Sequence, residues 1–347
     1  MMRYLAQSIF AFMSLPLDMV ERVKILWSSL QRSMQKKRVR QLIYLGIVLL
    51  SLVFIAYVII TNWAQLKSQE WHIDPFYAIM VVVLYPLGMI PTAAAWHWLL
   101  KAFTIHKSFL LNLRLFALSS LPKHIPGLVW YVTSRSLMYE EYGVGAGMVL
   151  GATAAESIML AASGFISALF IFSLKSDFLG QFTVLRYLSL ASVITLIIVF
   201  IWAPGGTRLF VRLLKKWRKD VETISIRRSA LFVCLLWMFV AWVGGGVLLW
   251  FLVRAFVPIG LESLPIMVGI WGAAGAVSLT IGIGIQGLGL REVTLAALLS
   301  MIISPIIALV VAVAFRLALT LAEFLWVFVI YLLSGGKEIT QKPQAER

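Results

Sequence analysis

The chain predicts an all-helical polytopic membrane protein, and three observations carry that fold class. Of its 347 residues, 61% are hydrophobic and 13% charged, and the mean hydropathy is +0.94, a composition suited to lipid. The apolar residues gather into runs of roughly 20, enough to cross the hydrocarbon of a bilayer. The basic residues fall in short segments between those runs, so the net charge of +15 reads as topology and attraction to anionic headgroups. A nucleic-acid partner is not expected.

Residues 1–40 form a basic, amphipathic N-terminal segment. Met19, Val23, Leu26, Leu30 and Met34 fall on one helical face, with Arg22, Lys24 and Arg32 elsewhere, as in a helix lying at the membrane interface. Gln7, Ser8, Ser14 and Asp18 interrupt the run after Arg3 and no small-residue cleavage site follows, so a retained segment is expected. The membrane domain then spans 41–333, with crossings at Leu42 to Thr61, Phe76 to Leu100, Gly145 to Ser173, Thr183 to Ala203, Ala230 to Val253 and Pro305 to Leu333. Residues 334–347 form a short tail.

The basic clusters Arg32 to Arg40 and Arg208 to Arg228 flank the first span and follow the fourth, which predicts that both face the cytoplasm. Lys67, Lys175 and Arg254 lie on the opposite side with acidic neighbours, so both termini are expected inside, in a plasma or inner membrane. Two apolar regions are broken by glycine, proline and charge: Lys107 to Tyr139, around LPKHIPGLVWYVTSR, and Ser263 to Met301, around TIGIGIQGLGLRE. Each half, 41–173 and 183–333, holds three full crossings and one broken region. An odd number of crossings inverts the second half, the layout of an inverted-repeat transporter. The broken region at 263–304 reads equally as a re-entrant hairpin or as two crossings, which would give eight spans.

Irregular backbone is tolerated at membrane depth only where protein buries it or water reaches it, so the breaks are the expected site. Pro122 and Pro126 remove amide donors and limit helical continuation, and Gly127 permits close backbone approach. Trp130 and Tyr131 begin a helix carrying Arg135. A helix start offers free amides and partial positive charge to an anion, and an arginine adds a bidentate fork. Gly282, Gly284, Gly287 and Gly289 leave little bulk before Arg291 and Glu292. On this reading Lys123, Pro126, Gly127, Trp130, Arg135, Gly287, Gly289, Arg291 and Glu292 contact a lipid headgroup. Tight hairpin turns whose arginines snorkel to the interface fit the same residues.

Ionisable residues within spans need partners, because even low insertion scales charge about 2.5–3.5 kcal/mol for such a residue at a helix centre. Arg316 and Glu323 lie seven positions apart on one face, and with Glu156 they make an expected inward network, either structural or coupled to ions. Other signals carry no chemistry. Gly282, Gly284 and Gly287 fit a dinucleotide spacing, but no strand precedes them and no acidic residue follows at the required distance. His72, His97, His106 and His124 lack metal-ligand spacing, and no nucleophile has a base. Neither a metal nor a cofactor is expected, and enzymatic activity is not indicated. Cys234 reads as a packing residue. Trp63, Trp71, Trp96 and Trp98 read as interface anchors.

At these residues the chain resembles the lysylphosphatidylglycerol synthase transmembrane-region family, also described as flippase-like membrane proteins. The resemblance rests on Pro126, Gly127 and Arg135, on Glu156, on the run Gly287, Leu288, Gly289, Leu290, Arg291, Glu292, and on Arg316. It covers roughly Gln41 to Leu333. The K-x-I-P-G-x-V-W form at Lys123 to Trp130 is similar to a branch associated with glycolipid or cell-envelope polysaccharide synthesis. The family often has an E-R pair with a later aspartate in the third span, where this chain has Glu156, Ser157 and Ile158. The soluble synthase domain of its bifunctional members is not expected here.

The expected function is translocation of an anionic phospholipid or a polyprenyl-phosphate-linked glycolipid between leaflets, with membrane lipids as partners. The alternative is a non-catalytic membrane scaffold for a cell-envelope lipid or polysaccharide synthesis enzyme, with Arg208 to Arg228 as its contact surface.

Overall fold

A computed structural model describes residues 73–124, 128–174, 227–281 and 290–333, together with Ile60, Thr61 and Lys67. All of them belong to the unit Val58–Arg347. The spans expected at Leu42 to Thr61 and Thr183 to Ala203, the N-terminal segment, the basic loop up to Ile226 and the tail lie outside the described residues or almost wholly so.

The described chain is helical, with no strand among these residues. Helix α1 is Pro75–Val83. It starts there because Pro75 fits the first turn and the Asp74 side chain accepts from the Phe76 amide at 2.9 Å, satisfying a donor the helix cannot. Helix α2, Pro86–Ala102, continues the same span after a turn at Leu84 and Tyr85. Pro86 lacks the amide that would carry the ladder through, so the span kinks in mid-membrane. Helix α3 is Phe109–Ser120, capped by Ser108. A 3-10 turn at Leu121–His124 follows, and α4 is Leu128–Glu140. Helices α5, Ala146–Leu174, and α6, Arg228–Phe256, are long and apolar. Helix α7 is Leu264–Ile281, α8 is Leu290–Leu299 and α9 is Pro305–Leu333.

Five stretches are long and apolar enough to cross a membrane: Pro75–Ala102, Ala146–Leu174, Ser229–Phe256, Leu261–Thr280 and Pro305–Leu333. Four coincide with expected spans. The fifth comes from the second broken region, whose two arms prove unequal. At 1.5 Å per residue α7 extends about 27 Å and α8 about 15 Å, so α7 can cross a hydrocarbon layer of about 30 Å and α8 cannot.

In the first broken region both arms are short, about 18 and 20 Å. Asn112 pairs with Tyr139 near one end and Ser119 with Arg135 near the other, so α3 and α4 run antiparallel. The two arms of this region therefore point in opposite directions.

The span α1–α2 lies along α6 and is tied to it at both ends. The Asp74 amide donates to the Ala255 carbonyl at 2.8 Å, and the Arg227 amide to the Ala102 carbonyl at 3.4 Å. Glycines set the spacing between. A methyl at Gly244 would overlap the Leu87 carbonyl, one at Gly245 the Trp271 indole, and one at Gly246 the Val268 backbone, the small-residue packing that replaces hydrophobic drive in lipid. Outward, Leu317, Leu321, Phe324, Phe328 and Leu332 of α9 are exposed. Such a stripe is costly in water and suited to lipid. Glu323 on the same helix turns inward, 4% exposed.

Candidate functional site

Two charged centres lie inside this bundle, each beside one of the broken segments. The first is closed. Arg135 of α4 is 0% exposed, its Nη1 donating to Glu156 Oε2 of α5 at 2.5 Å and its Nε to Ser119 Oγ of α3 at 3.1 Å. Tyr131 donates its hydroxyl to the same Glu156 oxygen at 3.3 Å. The guanidinium lies 4.3 Å from the Trp96 ring, 4.4 Å from Tyr131 and 4.7 Å from Phe116. Aromatic faces on a cation supply favourable electrostatics where water is excluded. Only Nη2 has no hydrogen-bond partner among the described residues.

A second polar chain backs this centre. Trp96 Nε1 donates to the Tyr139 hydroxyl at 2.8 Å, Tyr139 donates to Asn112 Oδ1 at 2.8 Å, and Asn112 Nδ2 meets His97 Nδ1 at 2.7 Å. Each buried polar group is thereby matched, as the low dielectric demands. Trp96 is therefore not the expected interface anchor. It is fully buried, because its ring covers Arg135 and its N–H has an internal acceptor.

The second centre is more open. Arg316 of α9 donates to Glu292 Oε1 of α8 at 2.8 Å, and Lys123, in the 3-10 turn of the first break, reaches Glu323 Oε1 of α9 at 2.6 Å. Arg291, the second residue of α8, lies 3.8 Å from Glu292 Oε1 through Nε and 5.0 Å from the Trp271 ring. It makes no hydrogen bond with any described residue, and its side chain is 26% exposed. Arg291 is also within electrostatic range of Arg316, Glu323 and Tyr85. Among the described residues this centre holds three basic and two acidic side chains, Lys123, Arg291, Arg316, Glu292 and Glu323. A helix N-terminus such as that of α8 carries partial positive charge.

Of the residues in the expected network, Glu156 pairs with Arg135, Arg316 with Glu292, and Glu323 with Lys123. The broken segments supply the opposite charge in each pair. Arg135 does not meet an open headgroup route either, since protein encloses it. Pro126, Gly127, Gly287 and Gly289 lie outside the described residues. Trp130 is in α4, its side chain outside them also.

Several participants were not read from the sequence as site residues, among them Trp271, Tyr85, Asn112, Phe116, Ser119 and Tyr139. Trp271 and Asn112 carry no local signal. Tyr85 did carry one, for Pro86 after it marks a kink inside an apolar span.

The arrangement is that of an integral membrane protein with no grouped metal ligands among its described residues. No curated protein and no solved structure matches the chain. One family model does, over residues 41–326, described as the lysylphosphatidylglycerol synthase TM region. That match takes in both broken segments and both charged centres, and the chain belongs to this family.

Proposed function

We propose that this protein moves a phosphate-bearing lipid, an anionic phospholipid or a polyprenyl-phosphate-linked glycolipid, between the leaflets of the plasma or inner membrane, with both termini in the cytoplasm. The observation that carries the reading is Arg291. It is a partly exposed guanidinium at a helix start, seated on Trp271, with its donors unused by the described protein. A phosphate there would meet a bidentate fork and the α8 amides together.

The charge balance supports the same reading. Among the described residues Lys123, Arg291 and Arg316 outnumber Glu292 and Glu323 by one, an excess that favours an anion. The cost of carrying a phosphate through hydrocarbon falls where fixed positive charge replaces water.

The test is reconstitution. Wild-type protein in liposomes should scramble a labelled phosphate-bearing lipid, and Arg291→Gln at equal incorporation should lose at least about tenfold of the rate, the worth of one charge-assisted contact. No scrambling by wild-type protein, with identical co-purified lipid profiles for both forms, would sink the translocator reading and return the scaffold to first place.

A further inference from the structure

Tyr85 is a polar group at the second centre that no ion pair employs. It stands at the kink between α1 and α2, about 15 Å along the Pro75–Ala102 span, half-buried. Its carbonyl is used, accepting from the Gly88 and Met89 amides. Its hydroxyl makes no hydrogen bond with a described residue and is not among the fully buried unpaired atoms, so an incoming group can reach it.

Three observations place the Tyr85 side chain. Trp326 Nε1 of α9 donates to the Val82 carbonyl at 2.9 Å, pinning α9 to α1. Tyr85 follows Val82 by three positions and Glu323 precedes Trp326 by three, so each lies about one turn from the pin. The Tyr85 ring packs against the apolar cluster that holds Phe315 and Leu295. Phe315 meets Trp271 edge to face at 5.1 Å, and Trp271 carries Arg291. Tyr85 is correspondingly within electrostatic range of both Arg291 and Glu323.

A phenol from the first half of the chain and a guanidinium from the second therefore lie along the same stretch of α9. A phosphodiester has two unesterified oxygens to share between them. Glu323 is the rival acceptor, but Lys123 already occupies one of its oxygens at 2.6 Å, and a carboxylate so paired is the weaker attractor.

We propose that Tyr85 is a headgroup-binding residue, donating its hydroxyl to an oxygen of the phosphate that Arg291 grips, so that each half of the chain supplies one hand. The proposal rests on the phosphate site at Arg291, and its experiment separates the two. Purified protein in detergent is titrated with short-chain phosphatidylglycerol and, in a second arm, with a short-chain polyprenyl-phosphate sugar, at several salt concentrations.

Tyr85→Phe keeps the ring and removes only the donor, so its elution and thermal midpoint should match wild type. It should weaken binding of at least one probe about tenfold, and the slope of affinity against salt should stay as in wild type, because no charge is lost. Arg291→Gln should weaken the same probe and flatten that slope. Wild-type affinity in Tyr85→Phe, with Arg291→Gln impaired, overturns the role of Tyr85 and leaves the phosphate site standing. Wild-type affinity in both variants overturns the site itself, and Tyr85 with it. Whichever probe loses affinity names the source of the phosphate.

Discussion

The two charged centres are built from the same ingredients and end in opposite states. Each has an arginine in the helix that follows a proline- or glycine-rich break, and each has a glutamate within reach. Arg135 is sealed, with Glu156, Ser119 and three aromatic rings around it and no exposed surface. Arg291 is more open, its side chain 26% exposed; its neighbour Glu292 is paired with Arg316 at 2.8 Å, and the Trp271 ring lies 5.0 Å from its guanidinium. The difference is one of enclosure: rings from three helices pack on the Arg135 guanidinium, whereas part of the Arg291 side chain stays uncovered.

If so, perturbing the two centres should give effects of different kind as well as size. The largest is expected at Glu156→Ala, which strands Arg135 in the interior. Removing one partner of a buried pair costs about 3–5 kcal/mol, read as a lower thermal midpoint in detergent and reduced yield. Replacing both partners by Met should recover much of that loss, since the uncompensated charge disappears with its counterion. Failure of the double variant to recover would mean that the pair does more than neutralise itself.

Next comes Gly245→Ala. Its methyl meets the Trp271 indole, and overpacking typically costs about 1–3 kcal/mol. This variant joins both readouts, because a displaced indole also removes the seat of Arg291, so retained phosphate lipid should fall together with stability. Unchanged lipid content in a destabilised Gly245→Ala protein would separate Trp271 from the site.

Arg291→Gln should change stability by no more than about 0.5 kcal/mol, as for a substitution away from packed or buried paired groups, while removing the bound lipid. A large loss of stability would show that the open centre is a strut after all. Lys123→Met takes one partner from the buried Glu323 carboxylate, whose side chain is 5% exposed, and should cost less than Glu156→Ala because Lys123 itself is 41% exposed. A drop comparable to that of Glu156→Ala would assign the Lys123–Glu323 contact to the frame.

Much of this was legible in the sequence, and the illegible part has a common cause. Composition and run length gave the helical membrane class, and Pro122, Pro126 and the glycines at 282–289 marked where helices stop. Those signals are local, arising from backbone donors and steric freedom that one residue type controls. Pairing is not local. The seven-residue spacing of Arg316 and Glu323 correctly puts them on one helix face, yet their partners are Glu292 and Lys123, brought in by hairpins whose fold no spacing rule encodes. Arg135 reads as an anion ligand from its neighbourhood in sequence. Its enclosure comes from α2, α3 and α5, which contribute Trp96, Phe116, Ser119 and Glu156. Trp96 misleads for the same reason, as an indole near a span end looks interfacial until a second helix covers it.

The ties at the two ends of α1–α2 carry a mechanical consequence. With Asp74 bonded to Ala255 and Arg227 to Ala102, the span is a beam clamped at both ends against α6. A clamped beam cannot tilt or slide without breaking a clamp, but it can bow. The compliant point is the missing ladder bond at Pro86, immediately beside Tyr85, so bending would be delivered to the second centre and little of it to the anchored ends.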